Sequence, residues 1–508
     1  MLTENDIPHI EANKLTVDAI FKQLEKFTTG IPYANVVTSA SVGNGIEVIS
    51  ETGREKYISL YDSEKKDLEI VKFVPASGAA TRMFKFLHEF LEQYDPNTSI
   101  TRYMSEGDKR ELVKFFQNYK EFPFLNQVRN KIRENYPDYK QSTKGERFYM
   151  FVSSMLEENG LNFGNIPKGL IPFHKYTKYA TTAFEEQLFE AAHYASARGE
   201  VYLHFTFSEA HVTYFKEKFE EVKKRITKKT KTQFHISYSF QKKETDTIAV
   251  TLANEPYRDI DNKLVFRPSG HGALLENLND VDADVIFIKN IDNVAAQDYV
   301  DVISLYKKVL AGKLLWLQKQ MFQFLERLEN ETYTDELYKE VKTFLWKHLY
   351  CKETLDSKDS LIHLLDRPIR VCGVVKNTGA PGGGPFWVKT EEGTTTLQIV
   401  EMAQINPNDR HQVALSKEST HFNPVDIVCG VRDYKGRKYD LTKFRNPRAG
   451  FISKKSLSGT TIKALELPGL WNGSMAKWNT VFVEVPAITF NPVKTVNDLL
   501  EKEHRPNA

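Results

Sequence analysis

The chain has 508 residues, 41% of them hydrophobic, and its 69 lysines and arginines nearly balance 67 aspartates and glutamates. That length buries a large core in more than one domain, or in one domain with sizeable insertions. The balanced charge and a mean hydropathy of −0.45 exclude a global field for nucleic acid or a membrane. The three cysteines, Cys351, Cys372 and Cys429, are odd in number, lack metal-ligand spacing, and read as small core residues of a reducing cytoplasm. Met1 to Asp6 shows neither a basic start nor an apolar run, so no signal peptide is expected. No apolar stretch approaches ~18 residues, so no membrane helix is expected either. A cytoplasmic enzyme is the default.

In chain order, residues 1–66 form a mixed lead-in with an amphipathic helix from Val17 to Phe27. Leu68 to Val74 reads as a buried strand, followed by a small-residue turn and a helix beginning near Arg82. Residues 105–159 are mostly helical, with charges and aromatics at three- and four-residue spacing. A helix is expected from Thr182 to Arg198, a strand from Glu200 to Phe207, a charged helix from Glu209 to Arg225, and strands at His235–Gln241 and Ile248–Leu252. Val285 to Lys289 is another buried strand, and residues 298–350 are helical. Strands alternating with helices specify an α/β fold with a mixed, mainly parallel sheet. The expected division is 1–66 as lead-in, 67–429 as main domain with helical insertions near 95–162 and 298–365, and 430–508 as a small β-rich subdomain.

In an open α/β sheet, ligands collect beyond the carboxyl ends of the strands. The turn Ser77-Gly78-Ala79-Ala80-Thr81, ending at Arg82, lies at one such end. It can direct backbone N–H groups and a guanidinium at an anion such as phosphate, or serve as a plain packing turn. Asp292 follows the strand Val285–Lys289, where a carboxylate suits either a magnesium ion that holds phosphate oxygens or a helix N-cap. Gly270-His271-Gly272 allows close backbone approach to a flat group, with His271 either a ligand contact or a helix-start residue. Lys168 and Lys494 sit in proline-fixed turns, and Lys376 precedes a Gly/Pro-rich loop at 379–384 pinned between apolar flanks. No P-loop, nucleophile elbow, paired-cysteine metal site or dinucleotide-binding fingerprint occurs. The aromatics are not clustered with basic residues as on a nucleic-acid surface.

Taken in order, these segments resemble the sugar-1-phosphate nucleotidyltransferases, especially their UDP-sugar pyrophosphorylase branch. Within that superfamily the chain looks like a bacterial family of proteins about this long. Ser77 to Met83 is similar to the loop that wraps the triphosphate, and Pro167-Lys168-Gly169-Leu170-Ile171-Pro172 to an element whose lysine contacts phosphate. Phe240-Gln241 resembles the strand end that reads the uracil edge, and Ser269 to Leu274 the turn that packs on the base. Asp292-Asn293 matches the metal-holding pair. Val400-Glu401 and Phe422-Asn423 resemble sugar-contacting segments, and Phe490 to Lys494 a late segment whose lysine reaches the phosphates. Alanine at two loop positions usually held by glycine, and His271 in place of asparagine, depart from the pattern.

The resemblance implies a GT-A, Rossmann-like nucleotide-diphospho-sugar transferase fold. The implied reaction joins an NTP, here UTP, to a sugar 1-phosphate and releases pyrophosphate, with magnesium as cofactor. Arg82, Lys168 and Lys494 are the implied catalytic residues. Ser77, Gly78, Ala79, Ala80, Thr81, Gln241, Gly270, His271 and Gly272 would bind nucleotide, and Glu401, Asn423 and Lys376 the sugar. Asp292 would hold the metal, with Asp426 as a second ligand. A non-catalytic nucleotide or sugar binder of the same fold, and a GT-A glycosyltransferase, are the alternatives.

Overall fold

The computed structural model describes residues 2–506, apart from 77, 79, 353–356, 380–382, 392 and 458, and apart from the side chains of 424 and 425. The chain forms two compact units, each assembled from separate stretches. One contains residues 1–73, 239–289 and 305–486; the other contains 74–238, 290–304 and 487–508.

The first unit is built on a mixed sheet in which Gly45–Glu47, Asn479–Glu484, Ile369–Lys376, His421–Gly430 and Val285–Lys289 are successive neighbours. Asn479–Glu484 runs parallel to both of its neighbours, and Val285–Lys289 is parallel to Ile70–Phe73. His421–Gly430 is antiparallel to both of its own neighbours. Every residue of Val285–Lys289 is buried, as expected for a strand covered on both faces. One face carries Phe73, Ile286, Ile288, Cys372, Val374, Ile427, Cys429 and Phe482 in a single apolar cluster. Cys372 and Cys429 are thus core residues, and burial pushes the Cys372 thiol up to about 11.

The opposite face is less apolar. Tyr61 meets Phe287 edge-on at 6.2 Å, while Lys289 lies opposite Asp426 in the ladder and Lys307 is hydrogen-bonded to Asp426. Two smaller antiparallel sheets complete the unit. Gly384–Lys389 lies between Val36–Ser39 and Thr395–Val400, and Phe451–Leu457 pairs with Thr460–Glu466, which pairs in turn with Thr247–Val250.

The second unit combines the strands Glu200–Phe207 and Gln233–Phe240 with the helices Ala183–Tyr194 and Val212–Thr230. Between 85 and 156 it is helical, with helices at Lys85–Gln93, Ile100–Ser105, Arg110–Asn118, Leu125–Asn135 and Lys144–Leu156. Stacked and edge-on aromatics hold these helices together: Phe115 on Phe122 at 4.9 Å, Phe122 on Phe124 at 5.2 Å, and Phe84 on Phe163 at 6.3 Å. Helix Ala183–Tyr194 is almost wholly buried, yet it carries Glu185, Glu186, Gln187 and Glu190 inside. Such groups persist in a core only when hydrogen-bonded. Arg225 takes Glu185, Tyr194 takes Glu190 at 3.1 Å, and the other two shape the site.

Candidate functional site

In the second unit, four separate stretches converge beyond the end of the strand Ile70–Pro75. Ala76 N–H donates to Thr206 O at 3.0 Å, so the chain leaves the strand still fastened to its neighbour. Gly78 O accepts Lys168 N–H, and Ala80 N–H donates to Ile166 O, both at 3.3 Å. The small-residue turn is therefore tied to the Pro167–Pro172 element, and the Ala80 amide is engaged by protein. A Cβ built on Gly78 would meet nothing within 4 Å, so open space lies in front of that residue. Thr81 and Arg82 are exposed in a 3-10 turn, and the α-helix starts only at Lys85. Ser77 and Ala79 lie outside the described residues.

Lys168 opens the 3-10 turn Lys168–Leu170, and its Nζ lies 2.6 Å from Asp292 Oδ2, with both side chains mostly shielded. Gly169 makes this approach possible, since a Cβ there would stand 3.0 Å from Ile291 and from Phe215. Asp292 caps no helix, because the next helical element begins at Gln297. Its turn is fixed from two sides. Buried Gln187 donates Nε2–H to Asn290 O at 2.8 Å and to Ile291 O at 3.3 Å. From the other side, Val493 N–H donates to Asp292 O at 3.2 Å, and Asn491 N–H to Asn293 Oδ1 at 2.8 Å. Lys494, next in sequence, is exposed, with its own N–H bound to Asp498 at 2.6 Å. Gly78, Lys168, Asp292 and the backbone before Lys494 are thus joined by direct contacts.

A partly shielded hard carboxylate paired with Lys168 fits magnesium in the manner by which that ion binds nucleotides, through few protein ligands and several phosphate and water oxygens. A closed protein cage is not on offer. Among the described residues, no group of three His, Cys, Asp or Glu side chains could hold a metal.

The remaining expected residues belong to the first unit. His271 stacks on Trp471 at 4.1 Å, and its Nδ1 accepts Leu470 N–H at 3.0 Å. The proton must then sit on Nε2, which faces Glu401 Oε1 at 3.3 Å. Burial opposes the charged form of Glu401, but hydrogen bonds from His271, Asn472 and Trp471 outweigh it and hold the carboxyl below its ordinary value. Glu401 and His271, far apart in sequence, are therefore partners. A Cβ on Gly270 would strike Glu466, and one on Gly272 would stand 2.3 Å from Pro468 O, so protein fills that side of both glycines. Gln241 donates to Asp246 at 3.1 Å. Asn423 is buried, with its N–H on Gly383 O at 3.1 Å. Lys376 is exposed, 3.9 Å from Glu484, and Asp426 is buried against Lys307.

One buried polar chain escapes sequence reasoning. Glu186 accepts from Tyr176 OH at 2.9 Å and from Gln297 Nε2 at 3.0 Å, and lies 2.9 Å from His174 Nδ1. His174 Nε2 in turn lies 3.0 Å from His504 Nδ1. Burial, reinforced by the neighbouring His174, holds His504 down to about 3. The only sequence signal was Glu185-Glu186-Gln187 standing inside an otherwise apolar helix.

A family model described as "Domain of unknown function (DUF4301)" matches residues 3–505. No protein with a curated description matches this sequence. Among solved structures, UDP-glucose pyrophosphorylase of Leishmania major aligns over 98% of this chain and 79% of its own, at 12% identity and a TM-score of 0.46. The uridine diphosphate N-acetylglucosamine pyrophosphorylase of Trypanosoma brucei aligns over 95% of this chain and 74% of its own, at 10% identity and a TM-score of 0.48. Among the described residues, no helix is long and apolar enough to cross a membrane.

Proposed function

The chain belongs to the DUF4301 family, and we propose that it is a nucleotidyltransferase joining an NTP, with UTP the first candidate, to a sugar 1-phosphate in the cytoplasm. The observation that carries this reading is the junction of the Gly78 turn, Lys168 and Asp292 in one unit, with the Phe490–Lys494 stretch bound to the Asp292 turn. Cations, an exposed glycine turn and one hard carboxylate suit a triphosphate.

In the proposed reaction an oxygen of the sugar phosphate attacks the α-phosphorus in line. The bond to the β-phosphate bridging oxygen breaks, and pyrophosphate leaves. No covalent enzyme intermediate is needed, so the protein's task is positioning and charge neutralisation. Arg82 and the Gly78–Thr81 turn hold the β- and γ-phosphates. Lys168 and Lys494 draw charge from the α-phosphate and the incoming phosphate. Gln241 and the Gly270–Gly272 turn serve the base, and Glu401, Asn423 and Lys376 the sugar. Magnesium held by Asp292 would supply charge neutralisation on phosphate oxygens.

The test is pyrophosphate release from each NTP with a panel of hexose 1-phosphates and magnesium. Metal-dependent release supports the reading. Binding without turnover would instead indicate a protein that keeps the ligand and not the chemistry, and release of NDP from a nucleotide sugar would indicate a glycosyltransferase.

A further inference from the structure

In the second unit, the helical region from Ile100 to Leu156 surrounds a cleft of ≈ 1040 Å³ whose lining shares no residue with the site above. Arg129, Arg133, Lys140, Lys144 and Arg147 line it, and among its described lining residues there is no carboxylate. Two of the neighbouring acids are engaged by other groups. Glu134 pairs with Lys131 at 2.7 Å, and Glu146 accepts the Thr143 amide at 2.6 Å. Helix Lys144–Leu156 starts at the cleft, so its positive end adds to the field.

Arg147 is the most informative of these cations. Its Nη2–H donates to Lys140 O at 2.7 Å, and its guanidinium centre lies 5.8 Å from the centroid of Tyr139. Its Nε is buried and has no hydrogen-bond partner among the described residues. A buried donor in that state is costly unless something supplies an acceptor.

Flat apolar surface stands beside the charge. Tyr119, Tyr136, Tyr139 and Phe148 line the same cleft, with Phe148 stacked on Phe116 at 3.9 Å. A bare phosphate would make no use of these rings, and an apolar ligand would make none of the cations. A ligand that is at once polyanionic and aromatic uses both, through arginine–phosphate forks and base stacking. The volume is at the upper end for small-molecule sites, and a single cleft suits a compact ligand better than an extended strand. We propose that this cleft is a separate binding site for a nucleoside polyphosphate.

Photolabelling with 8-azido-ATP and 5-azido-UTP, followed by peptide mapping, tests the assignment. Label is expected between residues 116 and 148, displaced by excess ATP or UTP. It should fall about tenfold or more in the double variant Arg129→Ala/Arg133→Ala, whose exposed side chains leave the core untouched. It should persist in Asp292→Asn, so loss of the proposed reaction and loss of this site are separable. Absence of label in the segment, or label unchanged in the double variant, overturns the proposal. So does displacement by inorganic tripolyphosphate or by a single-stranded oligonucleotide at lower concentration than ATP or UTP, since either marks a general polyanion surface.

Discussion

Lys168 Nζ stands 2.6 Å from Asp292 Oδ2, although 124 positions separate the two residues in the chain. With side-chain exposures of 15% and 23%, neither group is free to wander, and each fixes the direction of the other beside the Gly78 turn. Lys168→Met and Asp292→Asn should each lower turnover by about 10²–10³, the usual loss when a group that stabilises transition-state charge is removed. Chelation of divalent metal should abolish activity and its return restore it. Steady-state pyrophosphate release is the readout, and turnover unchanged in both variants would remove these residues from the mechanism.

Arg82 is exposed, so its replacement is not expected to disturb the fold. Arg82→Ala should leave the melting temperature within roughly 2 °C of wild type, as for a surface change. Turnover should drop by about 10². Arg82→Lys should recover only part of it, since a point charge cannot reproduce the planar fork. Full recovery with lysine would mean that charge alone is used there.

Glycine substitutions separate a ligand-facing glycine from a packing one. Gly272→Ala forces a Cβ to within 2.3 Å of Pro468 O and 2.8 Å of Leu467 O, both backbone atoms with nowhere to go. We expect a loss of about 1–3 kcal/mol, read from the midpoint of urea unfolding. Gly78→Ala meets nothing within 4 Å and should leave that midpoint in place. If Gly78 faces phosphate, Gly78→Ala should still raise the KM for NTP. A stable Gly78→Ala protein with unaltered kinetics would show that the open face of Gly78 is unused.

Acid should act on the second unit through His504. Its folded-state value, about 3, lies below the ordinary 6.5, so the unfolded chain binds the extra proton. The associated stability is present in full above 6.5 and is lost as pH falls from there toward 3. One proton limits the slope to ~1.4 kcal/mol per pH unit. His504→Gln removes the titration, so its urea midpoint should vary less with pH across that window. Parallel profiles for the two proteins would show that His504 is not the group being protonated.

Much of the fold is legible in the residues. Glu200–Phe207 and Val285–Lys289 are apolar runs bounded by turn residues, and both strands occur as expected. The strand expected at Leu68–Val74 runs from Ile70 to Pro75, because proline lacks only a donor that a strand's last residue can spare. The helix expected near Arg82 begins at Lys85, after the 3-10 turn Ala80–Arg82. Within the site, the turns at Gly78, Lys168 and Lys494 announce themselves by glycine and proline, and the Asp292 turn by its flanking asparagines. Which turn touches which does not follow from composition, and no periodicity links Gln187 to Asn290 or His174 to His504. Each compact unit draws on separate stretches of chain, so its extent cannot be read as one continuous run of the sequence.

The Asp292 turn is completed by Asn491 and Val493, near the far end of the chain from Gly78. On the ribosome, therefore, the turns at Gly78, Lys168 and Asp292 emerge well before Asn491 and Val493, and the Asp292 turn waits without its last support until those residues follow. The loop closures involved are long, and contacts between such distant stretches form slowly. A messenger cut short before the codon for Asn491 would yield a chain with most of its strands and helices and without the backbone bonds that steady Asp292.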